Sequence, residues 1–351
     1  MSESGAVIGL TDRHLTEELL TRVVGRRRET EVVVAALAAG RHVLLEGPPG
    51  TGKSTLLRAI SAVVGIGFEF VEGNAELTPA RLVGHHDPSR VLSEGYSEAI
   101  FVDGPLASAM RNGSLLYVEE INRVPEETLN LLITVMSEGE LNVPRLGRLT
   151  AADGFRLVAA MNPFDAVGTA RISSAIYDRT CRVLMGYQDL ADEVEIVRRA
   201  VADTAPVEPG WLETVVQVVR RTRQHPQVRV GSSVRGAVDT VLVAASLARL
   251  RGAWPEDPVV GLDAALAGLS GRVRLHEGSS RTAEDVITEL WSAAFPARPP
   301  AQDATGTDEA HDRDGSAGAA AERSEPSGNG PAPRSPGAAD QGKAAAPERG
   351  G

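Results

Sequence analysis

Residues 47–55 read GPPGTGKST, and no other stretch of the chain restricts the fold so strongly. The stretch fits G-x-x-x-x-G-K-[ST], with Gly47, Gly52, Lys53 and Ser54 at the fixed positions. Glycines let the backbone bend until successive N–H groups face a phosphate, and a helix starting just after the loop adds positive partial charge. The candidate binding set is therefore the whole loop: Gly47, Pro48, Pro49, Gly50, Thr51, Gly52, Lys53, Ser54 and Thr55. Lys53 can reach the outer phosphates, and the Ser54 hydroxyl can bind Mg²⁺. The chain's positive charge is otherwise almost all arginine, because its only lysines are Lys53 and Lys343. A folded region that keeps its one lysine in this slot does not match the pattern by accident.

Such a loop needs a strand before it and a helix after it. HVLLEG precedes and STLLRAISAVVG follows. Further apolar strands are expected at 68–73 (FEFVEG), 114–120 (SLLYVEE), 155–162 (FRLVAAMN) and 180–187 (TCRVLMGY). Helical patterns, beginning with residues 28–39, separate most of them. Apolar strands alternating with helices define the α/β class, a parallel sheet covered on both faces. Residues 90–103 and 140–151 interrupt the alternation and read as two β-hairpins. After residue 189 only helical patterns appear, at 190–203, 211–223, 234–251, 262–275 and 282–295. The expected organisation is thus a sheet domain over 1–188, a helical lid over 189–295 and a tail over 296–351. The tail has no Val, Ile, Leu, Met, Cys or aromatic residue and 8 of the 21 prolines, so it cannot offset its ordering entropy and is expected to be disordered.

Composition removes several classes. The longest apolar runs, such as residues 32–39, are far shorter than the roughly 20 residues of a membrane-spanning helix. The N-terminus shows no basic region followed by a long apolar one, so no secretory signal is visible. The single cysteine, Cys181, excludes an intrachain disulfide and a Cys-based zinc cluster, and its apolar strand suggests a core position. A cytoplasmic location is expected. The net charge of −11 argues against nucleic acid as the main partner. His85, His86 and Asp87 are expected in a loop, since adjacent residues rarely share one metal sphere.

The strand SLLYVEE supplies the second half of a phosphate-transfer site. Its two terminal carboxylates fall at the C-terminal edge of the sheet, where parallel sheets bind ligands. By their order, Glu119 is assigned to Mg²⁺, together with Ser54, and Glu120 to orienting an attacking water. A Ras-type base-reading motif, Asn-Lys-x-Asp, is impossible here for want of a lysine, and no transporter-type LSGGQ signature lies between loop and acidic strand.

With these residues in place the chain resembles the AAA+ ATPases, specifically the MoxR branch and its relatives near the magnesium chelatase ATPase subunit. The resemblance runs from about Val24 to Phe295 and is carried by VVGRR, HVLLEGPPGTGKS, LLYVEEINR, VAAMNPF, AIYDRT and GSSVRGAVD. It implies a sheet in the order 5-1-4-3-2, with both hairpins as characteristic inserts. It also implies that Asn162 is a sensor beside the γ-phosphate, that Arg179 is the arginine finger, and that Arg235 is a second sensor. Three departures stand out. Glu119 replaces the usual Asp, Thr180 replaces the aromatic after the finger, leaving Arg182 as its rival, and Val234 and Gly236 flank Arg235 in place of Pro and Ala. The implied activity is Mg²⁺-dependent ATP hydrolysis by a homo-oligomeric ring, most simply a hexamer, that remodels or matures a client protein. The implied client carries a von Willebrand factor A domain. The rival readings are a DNA-acting motor, with Arg145 and Arg148 of the second hairpin on a strand, and a nucleotide-gated binding protein of low turnover.

Overall fold

The computed structural model describes residues 13–163, 173–203 and 207–296. Apart from Pro296, the tail expected over 296–351 lies outside the described residues. Five strands, β1 (His42–Glu46), β2 (Phe68–Glu72), β3 (Leu115–Glu119), β4 (Arg156–Met161) and β5 (Thr180–Leu184), form one parallel sheet. Its order is β2-β3-β4-β1-β5, the expected 5-1-4-3-2 read from the other edge.

The three inner strands β1, β3 and β4 are largely apolar because both of their faces are covered, and alternate residues feed two separate cores. Leu44, Leu116, Val118, Leu157 and Ala159 belong to one core, against helices α4 (Pro105–Asn112) and α5 (Glu126–Glu138). Val43, Leu45, Leu115, Tyr117, Val158 and Ala160 belong to the other. That second face is covered by α1 (Arg13–Arg22), α2 (Arg27–Ala38) and α3 (Lys53–Val64). The period of two along each strand does the sorting. Register then sets Glu46 level with Met161 and Leu184, and Glu72 level with Glu119, so the C-terminal strand ends make one edge.

After β5, which a short helix α6 (Ser174–Arg179) precedes, the chain enters a helical bundle. Its members are α7 (Leu190–Val201), α8 (Pro209–Thr222), α9 (Val234–Arg251), α10 (Pro258–Leu269) and α11 (Ala283–Ala294). They enclose a core of their own around Trp211, Val215, Val241, Ala264 and Trp291. Glu193 of α7 is buried and receives Arg220 at 3.1 Å and Arg223 at 2.6 Å from α8 and its C-terminal end. The Arg223 guanidinium also stacks on Tyr187 at 3.9 Å, and Arg220 donates to the Gln188 carbonyl at 2.8 Å. This charged cluster clamps the connector between sheet and bundle.

Several expectations need correction. The first hairpin is not a tight one at 90–103. Gly84–His86 pairs antiparallel with Phe101–Asp103, and a helix, Pro88–Glu94, lies between them. The cause is local: Pro88 sits at the first helical position, and the Asp87 carboxylate accepts from the Ser89 N–H at 2.9 Å. His85 and His86 are therefore strand residues, and the His86 ring packs against Tyr96 and Phe101 at 5.1 and 5.0 Å. The second insert pairs Glu140–Val143 with Gly147–Thr150, and Arg145 in its turn stacks over Tyr96 at 3.8 Å, joining the two inserts. The bundle is not wholly helical, since Val228–Val230 pairs with Arg274–Leu275. Helix α10 starts at Pro258 rather than 262, because Asp257 caps the Val259 and Val260 N–H groups. Cys181 is exposed, because β5 is an edge strand with a neighbour on one side. Among the described residues no helix is long and apolar enough to cross a membrane.

His42 opens β1 with its Nδ1 accepting the Leu157 N–H at 2.9 Å. Burial, reinforced by Arg156, lowers its pKa from 6.5 to about 4. The folded state thus refuses a proton that the unfolded chain accepts, so stability is intact above about pH 6.5 and falls as pH drops towards 4. The loss available from this group is about 3 kcal/mol. His42→Gln keeps an acceptor without titrating, and urea unfolding across this pH range should show a flatter acid limb; an unchanged limb would contradict the assignment.

Candidate nucleotide-binding site

The loop from Gly47 to Gly52 leaves β1 at the C-terminal edge of the sheet and turns into α3 at Lys53. Gly50 and Gly52 have φ of +74° and +84°, where other residues are strained. Gly50 is also forced by contact, because a Cβ there would lie 2.2 Å from Ser233 Oγ at the start of α9. The Gly47 N–H donates to the Met161 carbonyl at 3.1 Å, tying the loop to the end of β4. Thr51 Oγ1 donates to the Pro48 carbonyl at 3.0 Å. Lys53 is buried, with Nζ donating to the Gly47 and Pro48 carbonyls at 2.9 Å each. Burial lowers its pKa to about 8; Glu119 and Glu120 oppose the shift, while Arg235 and Arg26 add to it. An ammonium held against carbonyls, under pressure to lose its proton, is a group that a polyphosphate would stabilise.

Glu119 closes β3, and Glu120 follows it in a left-handed conformation, φ +53°. Of the described non-glycine residues, only Arg145 shares that feature. Such a backbone costs on the order of 1 kcal/mol and persists where its surroundings impose it. Gly73 packs closely against this turn. Its N–H donates to the Glu119 carbonyl at 2.7 Å, and a Cβ would sit 2.4 Å from the Glu120 carbonyl oxygen. Arg123 holds the Glu120 carboxylate at 2.9 Å. Asn162 immediately follows Met161, whose partner in the register is Glu46, so it stands level with the start of the loop. Ser54 and Thr55 lie in the first turn of α3.

Beside the loop opens a cleft of about 490 Å³ between sheet and bundle. Gly50, Thr51 and Thr55 form its floor, and Val23, Ile196 and Val238 give it apolar walls. Arg235 lines it from the first turn of α9. Arg26, which sequence reasoning saw only as part of VVGRR, lines it as well. It is 4% exposed, and it donates to the Thr51 carbonyl at 3.0 Å, the Gly186 carbonyl at 2.6 Å and Glu29 at 3.0 Å. One guanidinium thus joins the loop to the connector leading into the bundle. Gln188 strengthens that junction by donating to the Val24 carbonyl. Gly73 was likewise missed; it was read only as the last residue of the strand expected at 68–73, which ends at Glu72.

The two candidate finger arginines lie apart from the cleft lining. Arg179 ends α6, with Nε donating to Ser137 Oγ at 2.5 Å and Nη1 to the Ala175 carbonyl at 3.1 Å. Arg182 is ion-paired with Glu46, which is buried at the end of β1 of the same chain. Arg182 is therefore committed within its own chain by a carboxylate that would otherwise be buried unpaired.

A parallel sheet in this order, with a phosphate loop between its central strand and the next helix, defines a P-loop nucleotide-binding protein. Comparison with known proteins narrows the class. Residues 42–180 match the AAA domain (dynein-related subfamily). The chain is 28% identical over 258 residues to YeaC of Bacillus subtilis, covering 66% of this chain and 78% of that protein. It is 30% identical over 213 residues to the gas vesicle ATPase GvpN1 of Halobacterium salinarum, covering 56% of this chain and 60% of the relative. Among solved structures, a point mutant of RuvB from Thermotoga maritima aligns with a TM-score of 0.49 at 18% identity, over 71% of this chain and 72% of that one. Over residues 42–180 the chain is thus similar to AAA domains.

Removing the Arg26 side chain should act on fold and site together. Its loss strands the Thr51 and Gly186 carbonyls and the Glu29 carboxylate, so Arg26→Ala should lower unfolding free energy by on the order of 3 kcal/mol. Nucleotide affinity, measured by calorimetry below the melting temperature, should fall with it. Unchanged affinity would show that the loop keeps its shape without Arg26.

Proposed function

We propose that the chain is a Mg²⁺-dependent ATP hydrolase of the MoxR type, which works as a homo-oligomeric ring, hexameric by resemblance, to remodel or mature a client protein. The observation that carries the hydrolytic reading is Glu120: a carboxylate in a strained left-handed turn, held by Arg123, on the strand edge facing the buried Lys53. GvpN1, a relative named as an ATPase, supports it. The client reading rests on the resemblance, which points to a protein with a von Willebrand factor A domain.

The residues fit the nucleotide and its metal. Lys53, Arg26 and Arg235 make the loop region positive, and the loop and the N-terminus of α3 offer N–H donors to phosphate. Among the described residues no three His, Cys, Asp or Glu side chains converge on a metal position. Ser54 and Glu119 would therefore hold the ion together with phosphate oxygens, the usual arrangement for Mg²⁺. The ion would supply charge neutralisation at the transferred phosphoryl group.

Within the chain the division of labour follows from position. Lys53 exchanges the Gly47 and Pro48 carbonyls for phosphate oxygens. Glu120 accepts the proton of the attacking water, and Asn162, level with the loop, holds that water against the γ-phosphate. Arg235 brings the bundle onto the phosphates. Arg179 would act on the nucleotide of the neighbouring subunit, leaving Ser137 when it engages. The commitment of Arg182 to Glu46 supports Arg179 over Arg182 in that role.

Purified protein should hydrolyse ATP only with Mg²⁺. Lys53→Ala should abolish turnover and most of the nucleotide affinity, whereas Glu120→Gln should keep binding and lose roughly 100-fold or more in turnover. Equal turnover by Glu120→Gln and wild type would remove Glu120 from the chemistry. Arg179→Ala should fold and bind ATP normally and lose on the order of 1,000-fold in turnover; near-normal turnover would transfer the question to Arg182.

A further inference from the structure

Arg235 is the second residue of α9, and Asp239 stands one turn further along the same helix. Side chains four residues apart on a helix are neighbours, and an Arg–Asp pair at this spacing closes readily into an ion pair. Here it does not. Asp239 is held instead by Arg272, which lies just beyond the end of α10. Arg272 is anchored in turn by donating its other terminal nitrogen to the Gly268 carbonyl. The Arg235 side chain forms no hydrogen bond or ion pair among the described residues. All three side chains line the cleft beside the loop, and Asp239 is the only acidic side chain among its described lining residues. A carboxylate in the wall of a polyphosphate site is a competitor, because it can take the arginine that the phosphates need.

We propose that Arg272 is a positioning residue: by occupying Asp239 it keeps that carboxylate from capturing Arg235, so that Arg235 remains available to the nucleotide phosphates. The proposal rests on the reading of Arg235 as a phosphate-binding arginine. The Asp239–Arg272 pair is about two-fifths exposed on both sides, so its worth as a stabilising contact is small. Its consequence lies in where Arg235 is free to go. The contacts also divide the labour between two helices, since α9 carries the arginine and its competitor while the end of α10 supplies the restraint.

The test is calorimetric binding of ATP and of adenosine to the full chain, with melting temperature followed in parallel. Arg272→Gln should weaken ATP binding roughly fivefold and leave adenosine binding unchanged. The double variant Asp239→Asn with Arg272→Gln should recover the wild-type ATP affinity, because no competing carboxylate remains. Arg272→Lys, which keeps one donor for Asp239, should bind ATP like wild type, which guards against a folding defect in the glutamine variant. In an Arg235→Ala background, Arg272→Gln should cause no further loss.

A double variant as weak as Arg272→Gln alone would overturn the proposal, since Arg272 would then act through its own charge. Equal loss for adenosine and ATP would also overturn it, by showing that the residue only maintains the shape of the bundle. If Arg235→Ala alone leaves ATP affinity unchanged, the reading of Arg235 fails and the proposal falls with it. An Arg235 effect without rescue by Asp239→Asn defeats the proposal and leaves that reading standing.

Discussion

A buried guanidinium against the phosphate loop is the contact on which the site depends. Arg26 reaches Thr51 in the loop and Gly186 beyond β5 from a position just before α2, so one side chain fixes three separate stretches of chain. Burying such a charge is costly unless its donors are used. Here both terminal nitrogens are used, and Glu29 supplies the opposite charge. The same guanidinium helps to depress the Lys53 pKa. Loop shape and loop charge thus depend on the same side chain, and fixed charges of this kind are the ones that contribute most to phosphoryl transfer.

The sheet makes that arrangement possible. Register brings the ends of all five strands to one edge, so the loop after β1, the glutamates after β3 and Asn162 after β4 need no long excursions to meet. Glu120 shows what this closeness demands. Its backbone turns left-handed where Gly73, one residue past β2, lacks the Cβ that would collide with its carbonyl oxygen. The bundle approaches the same edge from the other side, with Ser233 in contact with Gly50 and Arg235 in the cleft wall. A nucleotide in this cleft would touch sheet and bundle at once, so any change in its phosphates is felt where the two meet.

Much of this was legible because phosphate chemistry constrains residue types at fixed spacing. GPPGTGKST and SLLYVEE each declare a strand, a turn and a ligand, and apolar strands separated by helices give the parallel sheet. The order of strands came from resemblance, since pairing across a sheet leaves no mark in any one strand. Arg26 was not legible as a keystone, because its partners are backbone carbonyls 25 and 160 residues away, which carry no side-chain signature. The first insert was misread for a nearer reason: the Asp-Pro-Ser capping signal at 87–89 outweighed an alternating pattern. Cys181 looked like core because TCRVLMGY reads as one more apolar strand, and nothing in it marks the edge of the sheet. Two short strands in the bundle escaped because segments of two and three residues show no periodicity.

The proposal that ties site to assembly is that Arg179, which rests on Ser137 of its own chain outside the cleft, serves the nucleotide of a neighbouring subunit. The most direct measurement is ATP turnover per subunit against protein concentration, with molecular mass followed by sedimentation in the same buffer. The account predicts slow turnover where the protein is monomeric and a rise that tracks the appearance of the ring. Constant turnover per subunit across the monomer-to-ring transition would contradict it.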